Sequence, residues 1–197
     1  MEETLENRSS LSKEFGDIQK EWELESFISE KTVSPSWKIF LTNNGLMTPQ
    51  LKIIANNSGE VKILPKIISE QDLEEGRISR EVVLWNQVPE NNFPILYAWS
   101  EWDKEILDEL LPDKSQPIGS LISQKGFDSF RQIDKIYTLR SQEISDHLEY
   151  TKDQEETHLV AREYTIYKEH KTLAVFIEVC RFDGKSPIAA SLGEFYI

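Results

Sequence analysis

The segments LVAREYTIY at residues 159–167 and TLAVFIEVCRF at residues 172–182 decide the fold of this chain. Each has the composition of an apolar strand. Residues 168–171 between them form a connection that is far too short for a parallel crossover, so the two strands must pair antiparallel. The sequence therefore predicts a β-hairpin in the C-terminal half of the chain.

Further strands are predicted towards the N-terminus. The segments REVVLW at residues 80–85 and PILYAWSEW at 94–102 indicate a second hairpin with a longer loop. TPQLKIIA at 48–55 and EVKILPKII at 60–68, joined by the turn signal NNSG, indicate a third. Because these connections are short, we expect an α+β protein built on a single, mostly antiparallel sheet.

Short helices are expected between the strands. Asp17 can cap a helix over IQKEWELESFISE at residues 18–30, and DKEILDELL at 103–111 and PIGSLI at 117–122 are further candidates. The apolar spacing of residues 127–144 fits neither a helix nor a strand cleanly. The tail DGKSPIAASLGEFYI has the composition of a loop.

Length and charge limit the classes of function. The 197 residues suffice for one domain, and we expect a flexible acidic arm at residues 1–16 followed by a single domain at 17–197. With 22 Lys+Arg against 35 Asp+Glu, the net charge of −13 argues against nucleic acid and anionic membranes as partners. An anionic ligand would need a local cation. No signal peptide or membrane span is apparent, which predicts a soluble, cytoplasmic protein.

Charged residues that interrupt apolar strands are the candidates for chemistry. Glu178 lies in a strand whose two faces are both apolar, so it needs a cation or a hydrogen-bond donor. Arg80, which shares a strand face with Val82 and Leu84, is a partner of the right type. The alternative is structural: Glu178 pairs with another strand Arg or Lys, or faces solvent at a sheet edge.

Other reactive residue types give weaker signals. The single cysteine, Cys180, forms no internal disulfide, and we expect a small buried hydrophobe rather than a nucleophile. The histidines His147, His158 and His170 lie in polar, turn-like surroundings without metal-ligand spacing, so they are expected at the surface. The eight glycines are scattered and form no phosphate-binding loop.

The order of several segments resembles the chorismate lyase family, most of all its cyanobacterial and red-algal plastid branch. In chain order these segments are LTNNGLMTPQL, SREVVLW, PILYAWSEW, QPIGSLI and AREYTIY…KTLAVFIEVCRF, within residues 37–182. The resemblance implies an antiparallel sheet with helices and flap segments that enclose an internal pocket. It also implies cofactor-free elimination of pyruvate from chorismate to leave 4-hydroxybenzoate, a precursor of plastoquinone, in the cytoplasm or the plastid stroma.

The resemblance also assigns site residues. Arg80 of SREVVLW matches the strand arginine of the family, and Glu178 of VFIEV matches its C-terminal strand acid. Met47 of LMT and Ile118 of PIG match two apolar flap positions, although Leu46 replaces a serine and Ile118 a leucine. Arg80 would bind the ring carboxylate, and Glu178, when protonated, would act as general acid on the departing oxygen. Met47 and Ile118 would form an apolar lid, or are plain core residues.

Two other classes of protein stay open. A non-catalytic module of the same fold would bind small aromatic acids, like the effector domains of some bacterial transcription regulators. Residues 1–36 are too short and too acidic for the DNA-binding domain that such regulators carry. A lipocalin-like pigment-attachment protein would be a barrel of many strands, which the predicted helices fit poorly.

Overall fold

Seven antiparallel strands form one sheet in the computed structural model, which describes residues 14–45, 47–55, 62–87, 92–111, 116–125, 129–149, 159–182, 187–193 and 195. The strands are β1 (Asp17–Trp22), β2 (Lys62–Asp72), β3 (Arg77–Gln87), β4 (Phe93–Asp103), β5 (Phe130–Arg140), β6 (Leu159–Lys168) and β7 (Lys171–Arg181). Their order across the sheet is β1-β5-β6-β7-β4-β3-β2, and every neighbouring pair is antiparallel. The predicted fold class is confirmed.

Helices cover both faces of the sheet. They are α1 (Leu24–Ser29), α2 (Pro35–Thr42), α3 (Met47–Ala55), α4 (Lys104–Leu110), α5 (Ile118–Gln124), α6 (Gln142–His147) and α7 (Pro187–Leu192). The larger apolar core lies on the face covered by α2 to α5. A smaller core under α6 lies on the opposite face, so the central strands are buried from both sides.

The predicted C-terminal hairpin is confirmed as β6 and β7. Its two turn residues, Glu169 and His170, have φ of 50° and 66°, the positive values that a two-residue hairpin turn requires for its right-handed twist. The side chains of β7 alternate between the two cores, with Phe176 in the larger and Ile177 in the smaller. The expectation that this strand is covered on both faces is therefore confirmed.

The helix predicted over residues 18–30 is wrong in its first half. Only Leu24–Ser29 is helical, because Asp17–Trp22 forms β1 and pairs with β5 at the edge of the sheet. Burial alternates along this segment, with Ile18 and Trp22 more buried than their neighbours. Pairing of the backbone groups with β5 outweighs the weak helical pattern.

The strand predicted at residues 48–55 is also wrong. This segment belongs to α3, in which Met47 and Leu51 are buried four residues apart while Ile53 is 78% exposed. Burial therefore follows the period of a helix. The strand expected at residues 60–68 is confirmed from Lys62 onwards as β2, but its neighbour is β3. The expected turn at residues 56–59 lies outside the described residues.

The tail and the ambiguous segment adopt regular structure. Residues 127–144 contribute β5 and the start of α6. The tail, expected to be a loop, contains α7, which is tied to the body of the domain by hydrogen bonds from Ser34 Oγ to the Leu192 carbonyl (2.8 Å) and from Trp37 Nε1 to the Gly193 carbonyl (2.9 Å). Ser34 also caps α2 by accepting from the Trp37 N–H.

The N-terminal arm lies mostly outside the described residues, which begin at residue 14. Phe15 packs against Trp99 with ring centroids 5.4 Å apart, so the end of the expected arm contacts the sheet. The division into an arm and one domain stays a prediction. Within the described residues, no helix has the length and hydropathy needed to cross a membrane.

Candidate active site

A small cavity of about 50 Å³ lies between the larger-core face of the sheet and helices α3 and α5. Its lining combines a few charged side chains with aliphatic and aromatic walls. The lining residues are Met47, Thr48, Pro65, Arg80, Val82, Leu84, Ala98, Ser100, Pro117, Ile118, Gly119, Ile122, Arg131, Tyr164, Ile166, Phe176 and Glu178. All four predicted site residues are in this set.

Small side chains on β4 make room for the cavity. Ala98 lies opposite Glu178 on β7, and Ser100 lies opposite Arg80 on β3. Two residues apart on one strand, Ala98 and Ser100 point to the same face. The short side chains of Ala98 and Ser100 therefore leave an empty space between the longer side chains of Arg80 and Glu178. The helices close this space on the side away from the sheet.

Glu178 is held by two hydrogen-bond donors on β6. Its Oε2 accepts from Arg162 Nε at 2.7 Å, and its Oε1 accepts from the Tyr164 hydroxyl at 3.1 Å. Arg162 lies directly opposite Glu178 in the β6–β7 register. Arg80 is therefore not the ion-pair partner of Glu178; the alternative, pairing with another strand arginine, is what the structure shows.

The environment keeps Arg162 charged and Tyr164 neutral. Burial acts to lower the pKa of Arg162, but the Glu178 charge outweighs burial, and the pKa lies above its usual value. Burial raises the pKa of Tyr164 well above its usual range, with the Glu178 charge adding to the effect. The Tyr164 hydroxyl therefore keeps its proton and donates a hydrogen bond to Glu178. Both Glu178 oxygens thus act as acceptors.

Arg80 is almost fully buried, with 3% of its surface exposed. Glu70, its cross-strand neighbour on β2, forms an ion pair with it, with Nε and Oε2 3.8 Å apart. Burial lowers the pKa of Arg80, and the Glu70 charge raises it in part. A guanidinium stays protonated despite such a shift, so Arg80 presents a positive charge to the cavity.

Met47 and Ile118 come from the two covering helices. Met47 begins α3 and is buried, whereas Ile118 begins α5 and is partly buried against the core. Both line the cavity opposite the sheet. Both pack with the larger core, and their role as a lid stays a prediction.

Sequence reasoning missed three groups at the site: Arg131 and Tyr164, which line the cavity, and Arg162, which donates to Glu178. Arg162 and Tyr164 stand in the quoted segment LVAREYTIY, but nothing in the sequence gives the register that places them beside Glu178. Arg131 stands in the segment of ambiguous spacing, which becomes β5. Alternation along β6 is the only signal that could have placed Arg162 and Tyr164 on one face.

The other candidates that the structure describes do not line the cavity. Cys180 is buried in the larger core, and burial raises the pKa of its thiol, so the expectation of a buried hydrophobe is confirmed. His170 is exposed as expected, His147 stacks on Tyr97 with centroids 6.0 Å apart, and His158 lies outside the described residues. Among the described residues, no cluster of His, Cys, Asp or Glu is placed to hold a metal ion.

The arrangement suits a small ring that carries a carboxylate. A buried guanidinium binds a carboxylate through charge-assisted hydrogen bonds. The apolar walls pack against the ring and exclude water, and Glu178 is positioned to exchange a proton with a bound molecule. These features form a candidate active site for acid–base chemistry on a small carboxylate.

The chain is similar to several known proteins. A curated relative, "Uncharacterized protein ycf21" from Cyanophora paradoxa, is 27% identical over 127 residues. The match covers 59% of this chain and 64% of the relative, so the chain spans less than two thirds of the relative's length. Among solved structures, PhnF from Mycobacterium smegmatis has a TM-score of 0.44 at 11% identity and covers 89% of this chain and 94% of its own. The possible transcriptional regulator YydK from Bacillus subtilis has a TM-score of 0.43 at 11% identity, covering 98% and 95%. Residues 41–185 match the family described as "Chorismate pyruvate-lyase Rv2949c-like", and because this match spans well over half of the sequence, the chain belongs to that family.

Proposed function

We propose that this protein is a chorismate lyase, which converts chorismate to 4-hydroxybenzoate and pyruvate without a cofactor. The observation that carries the proposal is that Arg80 and Glu178, two buried charged side chains on separate strands, line the same cavity. Membership of a chorismate pyruvate-lyase family supports the same substrate. The product would serve as a quinone precursor.

Arg80 is the proposed site of the ring carboxylate. Its planar guanidinium can donate two hydrogen bonds to one carboxylate, and burial strengthens this charge-assisted contact. Val82 and Phe176 beside it offer apolar surface to the ring. The ring is thereby fixed with its ether substituent in the remaining space near Glu178.

The reaction breaks one ring C–H bond and the ether C–O bond, and the ring becomes aromatic. No water or redox partner is consumed, so the atoms of chorismate are shared between 4-hydroxybenzoate and pyruvate. Glu178 accepts hydrogen bonds in this structure, so it must gain a proton before it can act as a general acid. It first takes the ring proton and then returns it to the departing enolpyruvyl oxygen. Arg162 and Tyr164 hold the carboxylate in one orientation throughout.

The covering helices control access. At about 50 Å³ the cavity holds only water-sized molecules, whereas ligand pockets usually enclose ~300–1,000 Å³. Entry of chorismate therefore requires α3 and α5 to move away from the sheet. Their return, with Met47 and Ile118 against the ring, would expel water and orient the ether for elimination.

Turnover of chorismate tests the proposal directly. Purified protein is mixed with chorismate, and 4-hydroxybenzoate and pyruvate are measured separately, with equimolar release expected above the slow uncatalysed reaction. Binding of 4-hydroxybenzoate is measured on the same preparation by titration calorimetry. Absence of turnover together with tight binding of 4-hydroxybenzoate would contradict the lyase proposal and favour a binding module.

A further inference from the structure

Arg131 is a second cation of the cavity, separate from Arg80. It stands near the start of β5, where it faces Ile166 of β6, and lines the cavity. β5 and β3 are four strand spacings apart, or ~19 Å at about 4.8 Å each. Arg131 and Arg80 therefore reach the cavity from opposite sides.

Arg131 has capacity to bind an anion. Its Nη1 donates a long hydrogen bond of 3.4 Å to the Asn44 carbonyl. Its Nε is buried and has no hydrogen-bond partner among the described residues. No ion pair joins Arg131 to a carboxylate in the described part of the chain, whereas Arg80 is paired with Glu70 and Arg162 with Glu178. Arg131 thus supplies positive charge that no described carboxylate neutralises.

We propose that Arg131 binds a second carboxylate, so that the cavity is selective for ligands with two carboxylates over ligands with one. The proposal rests on the proposed function for its natural ligand: Arg80 holds the ring carboxylate of chorismate, and Arg131 holds the carboxylate of the enolpyruvyl group. Arg131 is then a specificity-determining residue. Arg131 binds the enolpyruvyl group, which leaves in the reaction. The aromatic product has one carboxylate and makes no contact with Arg131.

The chemistry of the two products supports this division. Once the ether bond breaks, each fragment keeps one carboxylate and one arginine partner. Neither fragment is then held by both cations, so each binds more weakly than the intact dianion. Arg131 therefore favours capture of substrate over retention of product.

Two matched probes test the proposal without turnover. 3-(Carboxymethoxy)benzoate has a ring carboxylate and an ether-linked carboxylate, and 3-methoxybenzoate lacks only the second. Binding of each is measured by calorimetry with the wild-type chain, Arg131→Met, Arg131→Lys and Arg140→Met. Arg140 is an exposed arginine at the far end of the same strand, so its variant controls for loss of one positive charge.

The expected result is a preference of about tenfold or more for the dicarboxylate in the wild type, from one charge-assisted contact. Arg131→Met should abolish this preference and leave the affinity for 3-methoxybenzoate unchanged, Arg131→Lys should keep part of it, and Arg140→Met all of it. Absence of a preference in the wild type overturns the proposal. So does a preference that survives in Arg131→Met, or an equal loss of affinity for both probes. A protein that shows the preference but no turnover would contradict only the proposed lyase activity.

Discussion

Replacement of Arg162 by methionine is expected to destabilise the fold strongly, because it leaves a buried carboxylate without its cation. Arg162 is 1% exposed and donates to Glu178 at 2.7 Å and to the Asn43 carbonyl at 2.9 Å. Methionine replaces the aliphatic part of the arginine side chain and so keeps most of its apolar packing. The loss is therefore electrostatic, and the Tyr164 hydroxyl is the remaining described donor to Glu178.

The size of the effect follows from burial. Removing one partner of a buried pair costs about 3–5 kcal/mol, whereas an exposed pair is worth about 0–1 kcal/mol. For a chain of this length, each kcal/mol shifts the melting temperature by ~2–4 °C, so Arg162→Met should lower it by roughly 6–20 °C. The pair of Arg77 and Glu101, at 3.0 Å but with side chains 23% and 29% exposed, is a matched control on the same sheet.

Urea denaturation followed by circular dichroism measures these differences. Arg162→Met, Glu178→Gln and the double variant form a cycle, and Arg77→Met is the control. We expect each single variant at the buried pair to lose much more stability than the control, and the double variant to lose less than the sum of the two. A loss below about 1 kcal/mol in Arg162→Met would refute the reasoning from burial.

Further predictions concern the cavity and one surface pair. Arg80→Ala should weaken 4-hydroxybenzoate binding by about 1.5–3 kcal/mol, roughly ten- to hundredfold in Kd. The control Arg77→Ala, on the same strand, should leave the affinity unchanged. Equal affinities of the wild type and Arg80→Ala in calorimetry would remove Arg80 from the site. Glu178→Gln, assayed well below its melting temperature, should lower kcat ~100-fold or more, and an unchanged kcat would end its proton-transfer role. The hydrogen bond from Lys20 lowers the pKa of Glu30 from 4.5 to about 2, so its contribution to stability is present above pH 4.5 and is lost as the pH falls towards 2. The stability difference between wild type and Glu30→Gln in urea should therefore shrink over that range, and a constant difference would contradict the assignment.

The strands near the C-terminus could be predicted because their own residues determine them. The segments at 159–167 and 172–182 are rich in β-branched, aromatic and other apolar residues, and their short connection permits one arrangement only. Residues 18–22 and 48–55 could not be assigned, since each has a short apolar pattern whose outcome depends on its neighbour in space. β5 turns the first into a strand, and packing over the sheet turns the second into a helix.

The ion-pair partner of Glu178 could not be predicted from the sequence for a different reason. Lys168 pairs with Lys171 at the turn, and an uninterrupted ladder counted from there would place Ala161 opposite Glu178. A bulge between Ile166 and Tyr167 shifts the register by one residue and places Arg162 there instead. A one-residue shift reverses which side chains face the cavity. No property of the sequence alone reveals this bulge, so the ion pair could not be predicted.

The charge pattern links the surface of the molecule to its cavity. A net charge of −13 repels a dianion in solution, but exposed charges are screened by salt beyond ~8–10 Å. Arg80 at the cavity forms an ion pair with Glu70, and the lining residue Glu178 forms one with Arg162 behind it, so each of these pairs brings little net charge. Affinity for a molecule with two negative charges then depends on a cation that lacks such a match, and in the described lining Arg131 meets that condition. The acidic surface disfavours anions in general, and the placement of one arginine decides which anion the cavity accepts.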